Sequence, residues 1–81
     1  MDLSHNRIES TSFLQSMGSL EHLNLSHNRI KEFQAVTMAN LESLNLSENE
    51  IEKLPIIGIC FPELVSLDIS SNMICSEFEL L

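Results

Sequence analysis

Apolar residues along this chain fall into a figure that recurs. "LEHLNLSHNRI" (20–30) returns as "LESLNLSENEI" (41–51) and as "LVSLDISSNMI" (64–74), while "MDLSHNRI" opens the chain with the second half of the same figure. Aligned on Asn6, Asn28, Asn49 and Asn72, the copies stand 22, 21 and 23 residues apart. Eight positions before the Asn lie Leu20, Leu41 and Leu64. Five before lie Met1, Leu23, Leu44 and Leu67, and three before lie Leu3, Leu25, Leu46 and Ile69. Two positions after it stand Ile8, Ile30, Ile51 and Ile74. Within each copy the two central apolar residues are two apart, which is the period of a strand that buries one face. This predicts four short parallel strands near 2–4, 22–25, 43–46 and 66–69. One such strand is too short to persist alone, but stacked about 4.8 Å apart the strands complete each other's hydrogen bonds.

Between the strands the apolar spacing changes. Ile8, Leu14, Met17 and Leu20 follow the first Asn, Ile30, Phe33 and Val36 the second, and Ile51, Leu54 and Ile57 the third. A step of about three suits a 3₁₀ or loose helical turn rather than a second strand. Pro55 and Pro62 fall in these returns, where no ladder N–H is lost. The recurring Asn, placed where the chain turns inward, is expected to be buried. Its amide can then satisfy loop backbone groups of its own and the neighbouring unit, so Asn6, Asn28, Asn49 and Asn72 form a structural ladder.

The frame L-x-x-L-x-L-x-x-N-x-I, repeated about every 22 residues over nearly the whole chain, resembles the leucine-rich repeat family. The spacing is most similar to the intracellular 22-residue subtype of the protein phosphatase 1 regulatory-subunit kind. It differs from the 24-residue extracellular subtype, towards which "KLPIIGICFPEL" (53–64) drifts. The resemblance implies an α/β solenoid: a right-handed coil with a short parallel sheet on its concave side and 3₁₀ or loop returns on its convex side. Residues 1–81 then make a single array of about four repeats, 1–19 (partial), 20–40, 41–63 and 64–81 (partial). Because end coils expose an apolar edge, the array is expected to be part of a longer one. The alternative is that Glu77–Leu81 folds over the open end, with Phe78 and Leu81 covering core.

Charge narrows the function. Twelve acidic residues against four basic ones give a formal −8, so phosphate neutralisation, and with it nucleic-acid binding, is not expected. No run of about 18 apolar residues is present to span a membrane. Cys60 and Cys75 do not make a disulfide framework, which suits reduced thiols and a cytoplasmic setting. A signal peptide on a longer parent would instead make the chain an extracellular, receptor-type recognition fragment, in which the "NLS" acceptor sequences at 24–26 and 45–47 could carry glycan.

The resemblance further implies a non-catalytic protein-interaction module that binds its partner through the outward strand positions. Those positions are His22, Ser43 and Ser66; Asn24, Asn45 and Asp68; Ser26 and Ser47; and His27, Glu48 and Ser71. With Asp2, Glu48 and Asp68 on that face and Glu21 and Glu42 beside it, the expected partner is another protein presenting a basic segment. No cofactor, metal or small-molecule substrate is expected. A different class of function remains open on the same face: a metal site using His5, His22, His27 and Glu48, or a hydrolytic Ser26–His27–Asp68 set. Against the latter, the chain has no G-x-S-x-G elbow, and an open face excludes no water.

Overall fold

The computed structural model describes residues 1–33, 36–54 and 56–73. Three strands, β1 (His22–Asn24), β2 (Ser43–Asn45) and β3 (Ser66–Asp68), form one parallel sheet in the order β1-β2-β3. The register follows the repeat column by column: His22, Ser43 and Ser66 are partners, as are Leu23, Leu44 and Leu67, and Asn24, Asn45 and Asp68.

A full first strand does not form, which corrects the expectation of four. Residues 2–4 contribute a single parallel bridge, Asp2 to Asn24. The bonds themselves are ladder-like. The Met1 amine donates to the His22 carbonyl at 2.8 Å, Asn24 N–H to Met1 at 2.9 Å, and Leu3 N–H to Asn24 at 2.8 Å. They stop at Met1, so too few residues are paired in succession to count as a strand.

Alternation along the strands puts Leu23, Leu25, Leu44 and Leu46 inward, each at most 2% exposed. Ile30, Phe33, Leu41, Ile51 and Leu54 close the same core from the connecting segments. Burying a side chain of this size stabilises by roughly 1.5–3 kcal/mol, and the stacked repeats share one core.

The first return contains a 3₁₀ helix, Ser12–Ser16, which buries Leu14. The third holds one α-helical turn, α1 (Ile57–Cys60), which buries Cys60. Thr11 and Cys60 extend the three-residue rhythm, the first fully buried and the second nearly so, while Met38, fully buried, and Phe61, nearly so, reach the core outside it. Phe61 meets Phe33 edge-on, with ring centroids 5.7 Å apart. Cys60 is a free thiol. Cys75, Phe78, Leu81 and the suggested Glu77–Leu81 cap lie outside the described residues, as do Ile74 and Pro55.

Candidate functional site

Each strand leaves the sheet through the same turn, and the residue before the Asn takes the left-handed conformation there. His5, His27, Glu48 and Ser71 have φ between 56° and 60°. This conformation is costly for a side chain with a Cβ. The Asn that follows holds the turn in place. The Asn49 amide group donates to the carbonyls of Leu25, Leu46 and Ser47, and its Oδ1 accepts the Ile30 N–H at 3.1 Å. Asn28 does the same between the first and second units: Oδ1 accepts from Asn6 and Ile8 N–H, and Nδ2 donates to Leu3, Leu25 and Ser26. Asn72 bonds back to Ile51 N–H and Leu46 carbonyl. The Asn6 side chain, with no preceding unit among the described residues, donates to the carbonyls of Leu3 and Ser4, and the residue is exposed.

A second set of turns shapes the open face. Asn24 Oδ1 accepts both the N–H and the hydroxyl of Ser26, at 3.0 and 2.7 Å. Asn45 with Ser47, Asp2 with Ser4 and Asp68 with Ser70 repeat the arrangement. Ser26 and Ser47 are only 6% and 9% exposed. Both are among the residues expected on the binding face; their hydroxyls point back into the turn and are donated to Asn24 and Asn45. The signal that separates these serines from Ser43 and Ser66 is the Asn two residues upstream, where Ser43 and Ser66 have a Leu.

What stays on the face is a shallow hollow of about 340 Å³ lined by Met1, His22, Asn24, Ser43, Asn45, Ser66 and Asp68, with the β1 and β2 leucines beneath. His22 Nδ1 and Ser43 Oγ lie 2.8 Å apart across the strands. His27, Glu48 and Ser71 are exposed on the left-handed turn and do not line the hollow. Met1 was not expected here; it stands in a leucine column and is half exposed, at 49%.

The chemistry offered is directional. A backbone N–H can only donate, so the Ser26 and Ser47 bonds fix the Asn24 and Asn45 amides with oxygen turned back and NH₂ outward. The centre of the face therefore presents donors. At its two ends Asp2 and Asp68 each commit Oδ1 to a serine and keep Oδ2 for a partner. Both carboxyls are held below the ordinary range: Asp2 by the Ser4 hydroxyl and then its N–H, Asp68 by the Ser70 N–H and then its hydroxyl. Both stay ionised further into acid than a carboxyl without these bonds.

The residues of the two alternative sets lie apart. His5 and His27 stack on each other, centroids 4.3 Å apart and planes 11° from parallel, while His22 turns to Ser43. Among the described residues no three His, Cys, Asp or Glu side chains come together in a way that could hold a metal ion. The Ser26–His27–Asp68 set is undone because Ser26 is buried on Asn24 and Asp68 belongs to the unit two coils away, bound to Ser70. Among the described residues no helix is long and apolar enough to cross a membrane.

A family model described as "Leucine Rich repeats (2 copies)" matches residues 1–37 and again 39–80. No curated protein and no solved structure matches the chain significantly.

Proposed function

Because the chain belongs to the leucine-rich repeat family, whose repeats generally mediate protein–protein interaction, we propose that it is a non-catalytic module of solenoid form that binds a basic segment of another protein across the open face of its sheet. The observation that carries this reading is the row Asp2, Asn24, Asn45, Asp68, in which two outward amide donors stand between two carboxylates with a free oxygen. Neighbouring strands are about 4.8 Å apart, so the two carboxylates are separated by three such steps, roughly 14 Å. An extended chain advances about 3.4 Å per residue. The row thus fits an extended segment running across the strands with Lys or Arg at two positions about four residues apart. The partner's backbone carbonyls between them would accept from Asn24 and Asn45.

Several finer readings belong to this proposal. The repeats are of the 22-residue intracellular kind, in an array of four units set in the cytoplasm, where reduced Cys60 is at ease. A glycan on Asn24 or Asn45 would cover the donors, so glycosylation of the natural protein would count against this setting.

The test is calorimetric titration of the chain with paired synthetic peptides, one with lysines four residues apart and one with adjacent lysines. Tighter binding of the spaced peptide, lost at about 0.5 M salt and in Asp68→Asn/Glu48→Gln, is the expected result. Equal binding of both peptides, unaffected by salt or by the substitutions, would remove the open face as the site.

A further inference from the structure

All three histidines of the chain stand in its first two units, at the Asp2 end of the open face. His22 lines the hollow, its Nδ1 2.8 Å from Ser43 Oγ. His5 and His27 are exposed on the left-handed turns, with rings stacked 4.3 Å apart. The column of His22 continues as Ser43 and Ser66, and that of His5 and His27 as Glu48 and Ser71. Of the two carboxylates that bound the row of donors, the histidines therefore accompany Asp2 and not Asp68. The association is electrostatic as well as positional. Asp2 is held below the ordinary carboxylate range first by the Ser4 hydroxyl and N–H, and then by the charges of His5 and the Met1 amine. Asp68 is held there by the Ser70 N–H and hydroxyl.

We propose that these histidines make the open face sensitive to pH: when they take up protons, the chain supplies its own cations to the Asp2 end and the basic segment is released. The proposal rests on the open-face reading and adds its regulation. Imidazole is the side chain that ordinarily changes charge between pH 5 and 8. A partner's Lys and Arg stay charged over that range, and the serine-bonded Asp2 and Asp68 stay ionised. Protonated His5 competes with a partner's lysine for Asp2, and protonated His22 puts a cation into the hollow that the segment must enter. The other charged groups around the rings are the Met1 amine, Arg7 and Arg29 two residues beyond the stacked pair, Glu21 and Glu42 beside the strand starts, and Glu48 next in the His27 column. An α-amino group ordinarily also changes charge near neutrality, so the Met1 amine is kept in every variant below. One unit charge at roughly 4–8 Å in water-like surroundings alters affinity about two- to sixfold. The release is therefore graded.

Calorimetric titration of the full chain with the lysine-spaced peptide at about pH 7.5 and about pH 5.5, at one ionic strength, tests it. The unsubstituted chain is expected to bind about three- to tenfold more weakly at the lower pH. In His5→Asn/His22→Gln/His27→Asn the ratio of the two affinities should fall towards one. Asn tolerates the left-handed conformation at positions 5 and 27, so the turns are kept. By linkage the bound peptide opposes protonation in turn. In the unsubstituted chain, the NMR pH titrations of the imidazole C–H signals should accordingly move to lower pH when peptide is added. Binding at the higher pH that is equal or tighter at the lower one overturns the proposal and leaves the open-face reading standing. Absence of binding at the higher pH removes both. A pH dependence undiminished in the triple variant, or histidine titrations unmoved by bound peptide, places the sensor elsewhere and overturns the proposal.

Discussion

Asn49 and Glu48 are adjacent, and they bring out different physics. Asn49 is 6% exposed and satisfies backbone groups of two units. Asn49→Ala strands the Ile30 N–H, at roughly 1–3 kcal/mol for a buried group left unsatisfied, and leaves the Leu25 carbonyl to Asn28 alone. Glu50→Ala removes a partly exposed side chain and is expected to change little. Urea midpoints that coincide for the two variants would contradict this assignment. Glu48 is exposed, and its cost is in the backbone: a left-handed residue with a Cβ is disfavoured by about 1–2 kcal/mol at its φ of 57°. Glu48→Gly should therefore leave stability unchanged or higher, while Glu48→Val should lower it by about 1 kcal/mol or more. Destabilisation by both to the same extent would mean that the turn does not hold this conformation in solution. Asp68 adds a prediction in pH. Its folded pKa lies below its ordinary value because Ser70 donates to the carboxylate. The stabilisation it contributes is present above the ordinary carboxylate range and is lost as pH falls through the folded value. Ser70→Ala should move the Asp68 titration midpoint upward, as read by carboxyl carbon shifts; an unmoved midpoint would dissociate the shift from that hydrogen bond.

At the scale of elements, the three strands and their register were legible because the apolar pair in each copy keeps strand period and the Asn fixes the phase. The same wording at 2–4 gave only a bridge, since ladder pairing needs consecutive partners and the bonds stop at the Met1 amine. The face was legible only in outline. Ser26 and Ser43 both fall at outward positions by column, yet Asn24, two residues before Ser26, buries it in a turn, while Ser43, preceded there by Leu41, lies beside His22. The returns were the least legible part: Met38 and Phe61 are buried through how the connections fold over the core, which no fixed period records. Position in the stack also sets energetic weight. Leu44, between two strands and 2% exposed, should cost roughly 2–5 kcal/mol when changed to Ala. Leu67 fills the same column on the edge strand and is half-buried, so Leu67→Ala should cost clearly less. Equal losses would indicate that β3 is covered as fully as β2.

For the whole molecule, charge and shape divide the surface into separate uses. The basic residues Arg29, Lys31 and Lys53 all lie on the flank beyond the Asn turns, next to Glu9, Glu50 and Glu52. Glu21, Glu42 and Glu63 line the opposite flank without a cation among the residues of that hollow. A basic segment approaching the open face thus meets negative potential on the side where the strands begin, which favours rapid, salt-sensitive encounter over tight final binding. The measurement closest to the central claim is a residue-resolved map of where such a segment sits. Amide and side-chain NMR shifts of the labelled chain would be followed as the lysine-spaced peptide is added. Shifts of the Asn24 and Asn45 side-chain NH₂ pairs, with Ser66 and Asp68, are predicted, while Ile56, Ile57 and Ile59 on the far side remain still. Shifts confined to Ile56–Ile59, with the two Asn NH₂ pairs unmoved, would contradict the account and put the binding surface on the returns.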